Sequence, residues 1–159
     1  GKNSIQKFAW FLYCFAIWDI FYYVFLKVLL NWPESLFTWD ILFLIPIPWV
    51  GPVICPVIIS LSMILLALVL IYFNERDPRL KINPREWTLF ISGSLIVIFS
   101  FVLDCYKCIH LYKGEVLDAI AQYIPQHFDW WIFWLGEAFI LTAISLFFFR
   151  SKYVISQAK

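Results

Sequence analysis

Charge is what this chain has least of. Aspartate, glutamate, lysine and arginine make up 14% of its 159 residues, against 63% hydrophobic, a balance far outside that of soluble domains. A water-soluble fold of this length has too little interior to hide so much apolar surface. The formal net charge of +1 leaves no field to hold a polyanion, so nucleic acid is not expected as a partner. Site motifs are missing too. There is no glycine-rich phosphate loop, no HExxH helix and no GxSxG elbow, so neither a kinase nor an intramembrane protease finds its machinery here. No internal repeat or low-complexity linker marks a second domain.

What fills the chain instead is a set of four apolar stretches, at about 8–30, 50–73, 88–106 and 130–149. Each reaches the roughly 20 residues that a helix needs to cross a hydrocarbon core about 30 Å thick. The fold class expected is an all-α integral membrane protein: a four-transmembrane-helix bundle with one or two short interfacial helices, forming a single transmembrane domain over 1–159. The first stretch follows Lys2 and Lys7 as a secretory signal would. It runs on through Phe21, Tyr22, Tyr23, Val24, Phe25 and Leu26 without a small-residue cleavage site, and is read as a retained span.

Lysine and arginine set the expected orientation, because they accumulate in cytoplasmic loops. Lys2 and Lys7, then Arg76, Arg79, Lys81 and Arg85, then Arg150, Lys152 and Lys159 fall on one side, while Lys27, Lys107 and Lys113 fall on the other. Both termini are therefore expected in the cytoplasm, in a plasma or bacterial inner membrane. Trp32, Trp39, Trp49, Trp130, Trp131 and Trp134 gather at the opposite boundary, where an amphipathic ring suits the headgroup region.

Two connections carry more apolar residues than a plain loop. Segment 35–44 is predicted as a short interfacial or shallow re-entrant helix, followed by an elbow at Pro46, Pro48, Gly51 and Pro52. Pro52 suits the first turn of the second span, and Pro56 is expected to kink it. Segment 115–124 places Val116, Leu117, Ile120, Tyr123 and Ile124 on one helical face, and is expected to lie on the membrane surface.

Depth along antiparallel spans brings polar residues to one level: Asp19, Ser60 with Ser62, Ser100 and Glu137. A charged acid there costs about 2.5–3.5 kcal/mol even on the lenient insertion scale, so these residues are expected to face protein or water. No lysine, arginine or histidine shares the level. The leading reading has neutral acids fastening helices together or to another subunit; the alternative is a proton or cation relay through Asp19 and Glu137.

A second cluster lies at the far end of the third span, where Cys105-Tyr106-Lys107-Cys108 makes a CxxC pair beside a lysine that favours a thiolate. In this it resembles the four-helix membrane thiol oxidoreductases, which implies reactive cysteines at the exterior boundary passing electrons to quinone. It departs from that pattern in the second cysteine pair, since Cys14 and Cys55 fall within spans. Cys105, Cys108, His110 and His127 also offer a Cys2His2 set for zinc or copper, although the spacing is not that of a finger. Covalent haem is not expected, because Ile109 stands where the attachment motif needs histidine.

Ser92, Gly93, Ser94, Gly136, Ala138 and Ala143 are small enough to let the third and fourth spans approach closely. Compact loops and no soluble domain point to a noncatalytic accessory, assembly or interaction subunit. Its partners would be membrane lipids and other membrane subunits or further copies of itself, and this reading requires no cofactor.

Overall fold

The computed structural model describes residues 3–44, 47–111 and 127–157, apart from the side chains of Cys108 and Leu111. The chain is mostly helical, and four of its helices are long and apolar enough to cross a membrane. These are α1 (Ser4–Leu30), α2 (Ile54–Arg76), α3 (Pro84–Leu111) and α4 (Trp130–Gln157). The shortest has 23 residues and runs to about 35 Å at 1.5 Å per residue. The surface helix expected at 115–124 lies outside the described residues.

Segment 35–44 corrects the sequence reading. It forms no helix; Trp39–Phe43 is strand β1, paired antiparallel with β2, Trp49–Pro52. The apolar run looked long enough for a helix, but Trp39, Ile41 and Phe43 suit a strand equally. The nearby Trp49–Pro52 supplies the hydrogen-bonding partner. The fold therefore adds a small two-stranded sheet to the helices.

That hairpin also moves the start of α2. Pro52 ends β2 instead of opening a helix, and Pro56 falls in the first turn of α2, where a missing N–H costs nothing. Carbonyls of the hairpin approach receive the leading N–H groups instead: Val53 N donates to Thr38 O at 3.0 Å and Ile54 N to Leu36 O at 2.8 Å.

The helices form an open arc. α1 packs along α2, α2 touches α4, and α4 packs along α3, with β2 resting on α3. α1 and α3 do not meet backbone to backbone; the rings of Phe8 and Trp87, centroids 6.0 Å apart, span the gap. Apolar packing falls into two clusters. One holds Leu66, Leu70, Phe73, Phe90, Ile144 and Phe147 near the chain termini, and the other holds Cys55, Val97, Phe101, Phe128 and Phe133 near the hairpin.

Each end of the α3–α4 pair is fastened by charge. Asn83 and Glu86 form a capping box at the start of α3: Glu86 N donates to Asn83 Oδ1 at 3.0 Å and Asn83 N to Glu86 Oε2 at 2.8 Å. Arg150 grips the same buried carboxylate in bidentate fashion, Nε to Oε1 at 2.8 Å and a terminal guanidinium nitrogen to Oε2 at 2.9 Å. At the other end, Lys107 pairs with Asp129 at 3.0 Å.

Between those ends the two helices touch through glycine, as the small residues predict. A Cβ on Gly136 would sit 2.8 Å from Gly93 O and 2.9 Å from Val97 N, both backbone atoms. Gly136→Ala is expected to lower stability by about 1–3 kcal/mol, the usual cost of overpacking. Gly51→Ala, opposed by the rings of Phe101 and Phe128, is expected to lose less because rings can turn. Thermal unfolding of both variants in detergent checks the order.

Candidate functional site

Two serines on α2 organise the polar level. Ser60 and Ser62 are two residues apart on a helix, so their side chains leave on nearly opposite sides. Ser60 Oγ donates to Asp19 Oδ2 of α1 at 2.8 Å, and Ser62 Oγ donates to Glu137 Oε2 of α4 at 3.0 Å. The two acids thus flank α2 on opposite sides. Asp19 is half-buried, whereas Glu137 is 1% exposed and its Oε1 has no hydrogen-bond partner among the described residues. Ser100 does not join them. Its hydroxyl donates to Val97 O of its own helix at 2.7 Å.

On the Asp19 side of α2 the open arc encloses a cavity of about 510 Å³, bounded by α1, the hairpin, α2, α3 and Ile140 of α4. Asp19 and Tyr23 line it from α1, four residues apart and so on one face. The hairpin brings Asp40 to meet them, and Tyr23 Oη donates to Asp40 Oδ2 at 2.8 Å. Ser60 completes the polar wall, and aromatic rings make up much of the rest: Phe15, Trp18, Tyr22, Phe43, Trp49 and Phe101. Among the described residues, no lysine, arginine or histidine lines the cavity. The indole Nε1 of Trp49 is enclosed and lacks a hydrogen-bond partner among the described residues. A second cavity of about 370 Å³ continues toward the chain termini; the two share Ile59, Met63, Ser94 and Ile140. Together they have the shape and lining of a small-molecule site, mostly apolar with a few convergent polar groups.

The residues of the cysteine cluster lie along the end of α3 and the approach to α4. Cys105 is fully buried on α3. Lys107 turns to Asp129. His110 meets the ring of Tyr106 edge to face with centroids 4.3 Å apart, and exposed His127 lies 3.5 Å from Asp129. The side chain of Cys108 lies outside the described residues. Among the described residues no three of histidine, cysteine, aspartate and glutamate converge as a metal site would require.

The sequence reading anticipated Asp19, Ser60, Ser62 and Glu137 but missed Tyr23, Asp40 and the Glu86–Arg150 pair. The spacing of Asp19 and Tyr23 and the Asn83-Pro84-Arg85-Glu86 capping signature were legible signals. Asp40 had none, because only the hairpin returns it to α1.

Removing the Ser62 donor leaves Glu137 with neither oxygen hydrogen-bonded among the described residues. Ser62→Ala is expected to cost about 1–2 kcal/mol. Ser100→Ala, which removes only a bond back to its own helix, should fall well below that. Unfolding midpoints of the two variants in one detergent test the difference. No family model, curated protein or solved structure matches the chain.

Proposed function

We propose that the protein is a noncatalytic membrane subunit whose work is association within the bilayer, as an accessory or assembly partner of a larger complex or of further copies of itself. The observation that carries this is the double face of α1. Ala9, Leu12, Ala16, Asp19 and Tyr23, spaced by three and four residues, turn toward α2. On the opposite side Phe11, Cys14, Phe21, Phe25 and Val28 fall along one stripe at intervals of three, four or seven residues, and all of them are exposed. A helix with seams at three-and-four spacing on two sides is built to pack on two sides. Only 11% of the apolar stretch of α1 is buried, against 33–39% in the other three helices.

The acids fit this reading. Each is bonded to a serine of the neighbouring helix, and their separation by α2 favours fastening over a shared proton or cation path. Cys105 is fully buried, which favours a structural thiol over quinone-linked exchange. The distribution of lysine and arginine supports cytoplasmic termini in a plasma or bacterial inner membrane.

Purified in mild detergent, the protein is expected to run as an assembly larger than its single 18.9 kDa chain. Phe11→Ala combined with Phe25→Ala should disperse that assembly while leaving the helical content intact. If the second copy is the partner, oxidation should crosslink chains through exposed Cys14. A stable wild-type monomer without any partner overturns the proposal.

A further inference from the structure

We propose that the cavity under the hairpin binds a cationic amphiphile, its amine head held among Asp19, Tyr23, Asp40 and Ser60 and its apolar chain running into the second cavity. This goes beyond the assembly reading and uses the inner side of the arc, between α1 and α3.

Charge complementarity selects the head group. Two carboxyl groups face the cavity, with no basic side chain in its lining among the described residues. A protonated amine brings three donors and no acceptor. It meets carboxyl oxygens as hydrogen-bond partners and supplies the positive charge that an acid at this depth otherwise lacks. The surrounding rings of Phe15, Trp18, Tyr22, Phe43, Trp49 and Phe101 act in the same direction, since an ammonium is drawn to aromatic faces. A head with net negative charge finds no counter-charge among the described lining residues.

The shape of the site selects the tail. Polar groups sit at the hairpin end of the first cavity, while the second is lined by Phe8, Leu12, Leu66, Phe90, Ile91 and Leu95 among others. The gap between α1 and α3 gives an apolar chain a lateral entrance from the hydrocarbon. One molecule with a polar head and a long chain can occupy both cavities at once.

The test is a tryptophan-quenching titration of the full chain in phosphatidylcholine nanodiscs with sphinganine, octadecanol and octadecanoate, three chains differing at the head. Sphinganine is expected to bind at least about tenfold more tightly than either of the others. Asp40→Asn and Asp19→Asn should each remove about tenfold of that affinity, while Glu75→Gln, an exposed change of the same charge, should leave it unchanged. If Asp19→Asn does not fold, Asp40→Asn decides alone. Competition by phosphatidylethanolamine would identify a membrane lipid as the source of the amine; lack of competition would point to free long-chain bases. Equal binding of the three probes, preference for octadecanoate, or an amine preference that survives the loss of Asp40 overturns the proposal. So does a photoreactive group at Ile98 that captures a protein chain instead of the amphiphile.

Discussion

A carboxyl group set among hydrocarbon chains has to find its hydrogen-bond donors inside the protein, and that requirement fixes the neighbours of α2. Glu137 is buried from water and Asp19 half-buried, and even the lenient scale puts a bare charge at the centre of a bilayer at about 2.5–3.5 kcal/mol. Ser60 and Ser62 answer for one acid each, on opposite sides of the same helix. α1 and α4 are thereby assigned to the two flanks of α2. Such interhelical bonds average about 0.6 kcal/mol and reach about 1.7. They are too weak to hold the bundle together, but each is lost outright if a helix slides or rotates by one residue. Their contribution is register, and the two apolar clusters on either side of the polar level supply the bulk of the packing.

The arc then divides into halves of different character. In the α3–α4 half, glycine at mid-span lets the backbones touch, and ion pairs close both ends. In the α1–α2 half, polar contacts do the corresponding work: Asn3 Nδ2 donates to Asn74 Oδ1 at 2.8 Å near the termini, and Ser60 holds Asp19 at the middle. Asn3 serves twice, since its side-chain oxygen also accepts from Gln6 N and caps α1. α2 and α4 join the halves, which leaves α1 and α3 as the two free edges.

The spans were legible because hydropathy over some twenty residues is a strong signal that later packing does not alter. The pairing of Ser60 with Asp19 and Ser62 with Glu137 was legible in part. Antiparallel spans of similar length put those residues at one depth, yet sequence does not say which helix faces which, so the division of the acids by α2 had no signal. The hairpin was misread because a ten-residue apolar segment fits a surface helix by composition. What makes it a strand is a partner about ten positions away across a proline-containing segment that carries no Asn-Gly or Asp-Gly signature. Asp40 followed the same error. The buried setting of Cys105 was hidden for another reason: a CxxC pair at a span's end reads as exposed, whereas the fold encloses its first cysteine completely.

Side-chain size explains why the arc stays open on one side. Where α3 meets α4, Gly93 and Gly136 carry nothing that keeps the axes apart, and the two backbones come into contact. Where α3 faces α1, Trp87 and Phe8 meet ring to ring near the termini, while Phe15, Trp18 and Tyr22 stand opposite Val97, Ile98 and Phe101 farther along. Bulky rings on both sides prevent the backbones from closing, but their flat faces leave space between them. The hairpin covers that space at one end because Gly51 lets β2 lie directly on the ring of Phe101; a Cβ there would approach the ring to 2.7 Å. Asp40, on the strand opposite Gly51 in the ladder, is carried over the cavity by the same contact. One small residue on the hairpin and several large ones on the helices thus create a chamber whose acidic end lies under the sheet and whose apolar end opens between α1 and α3.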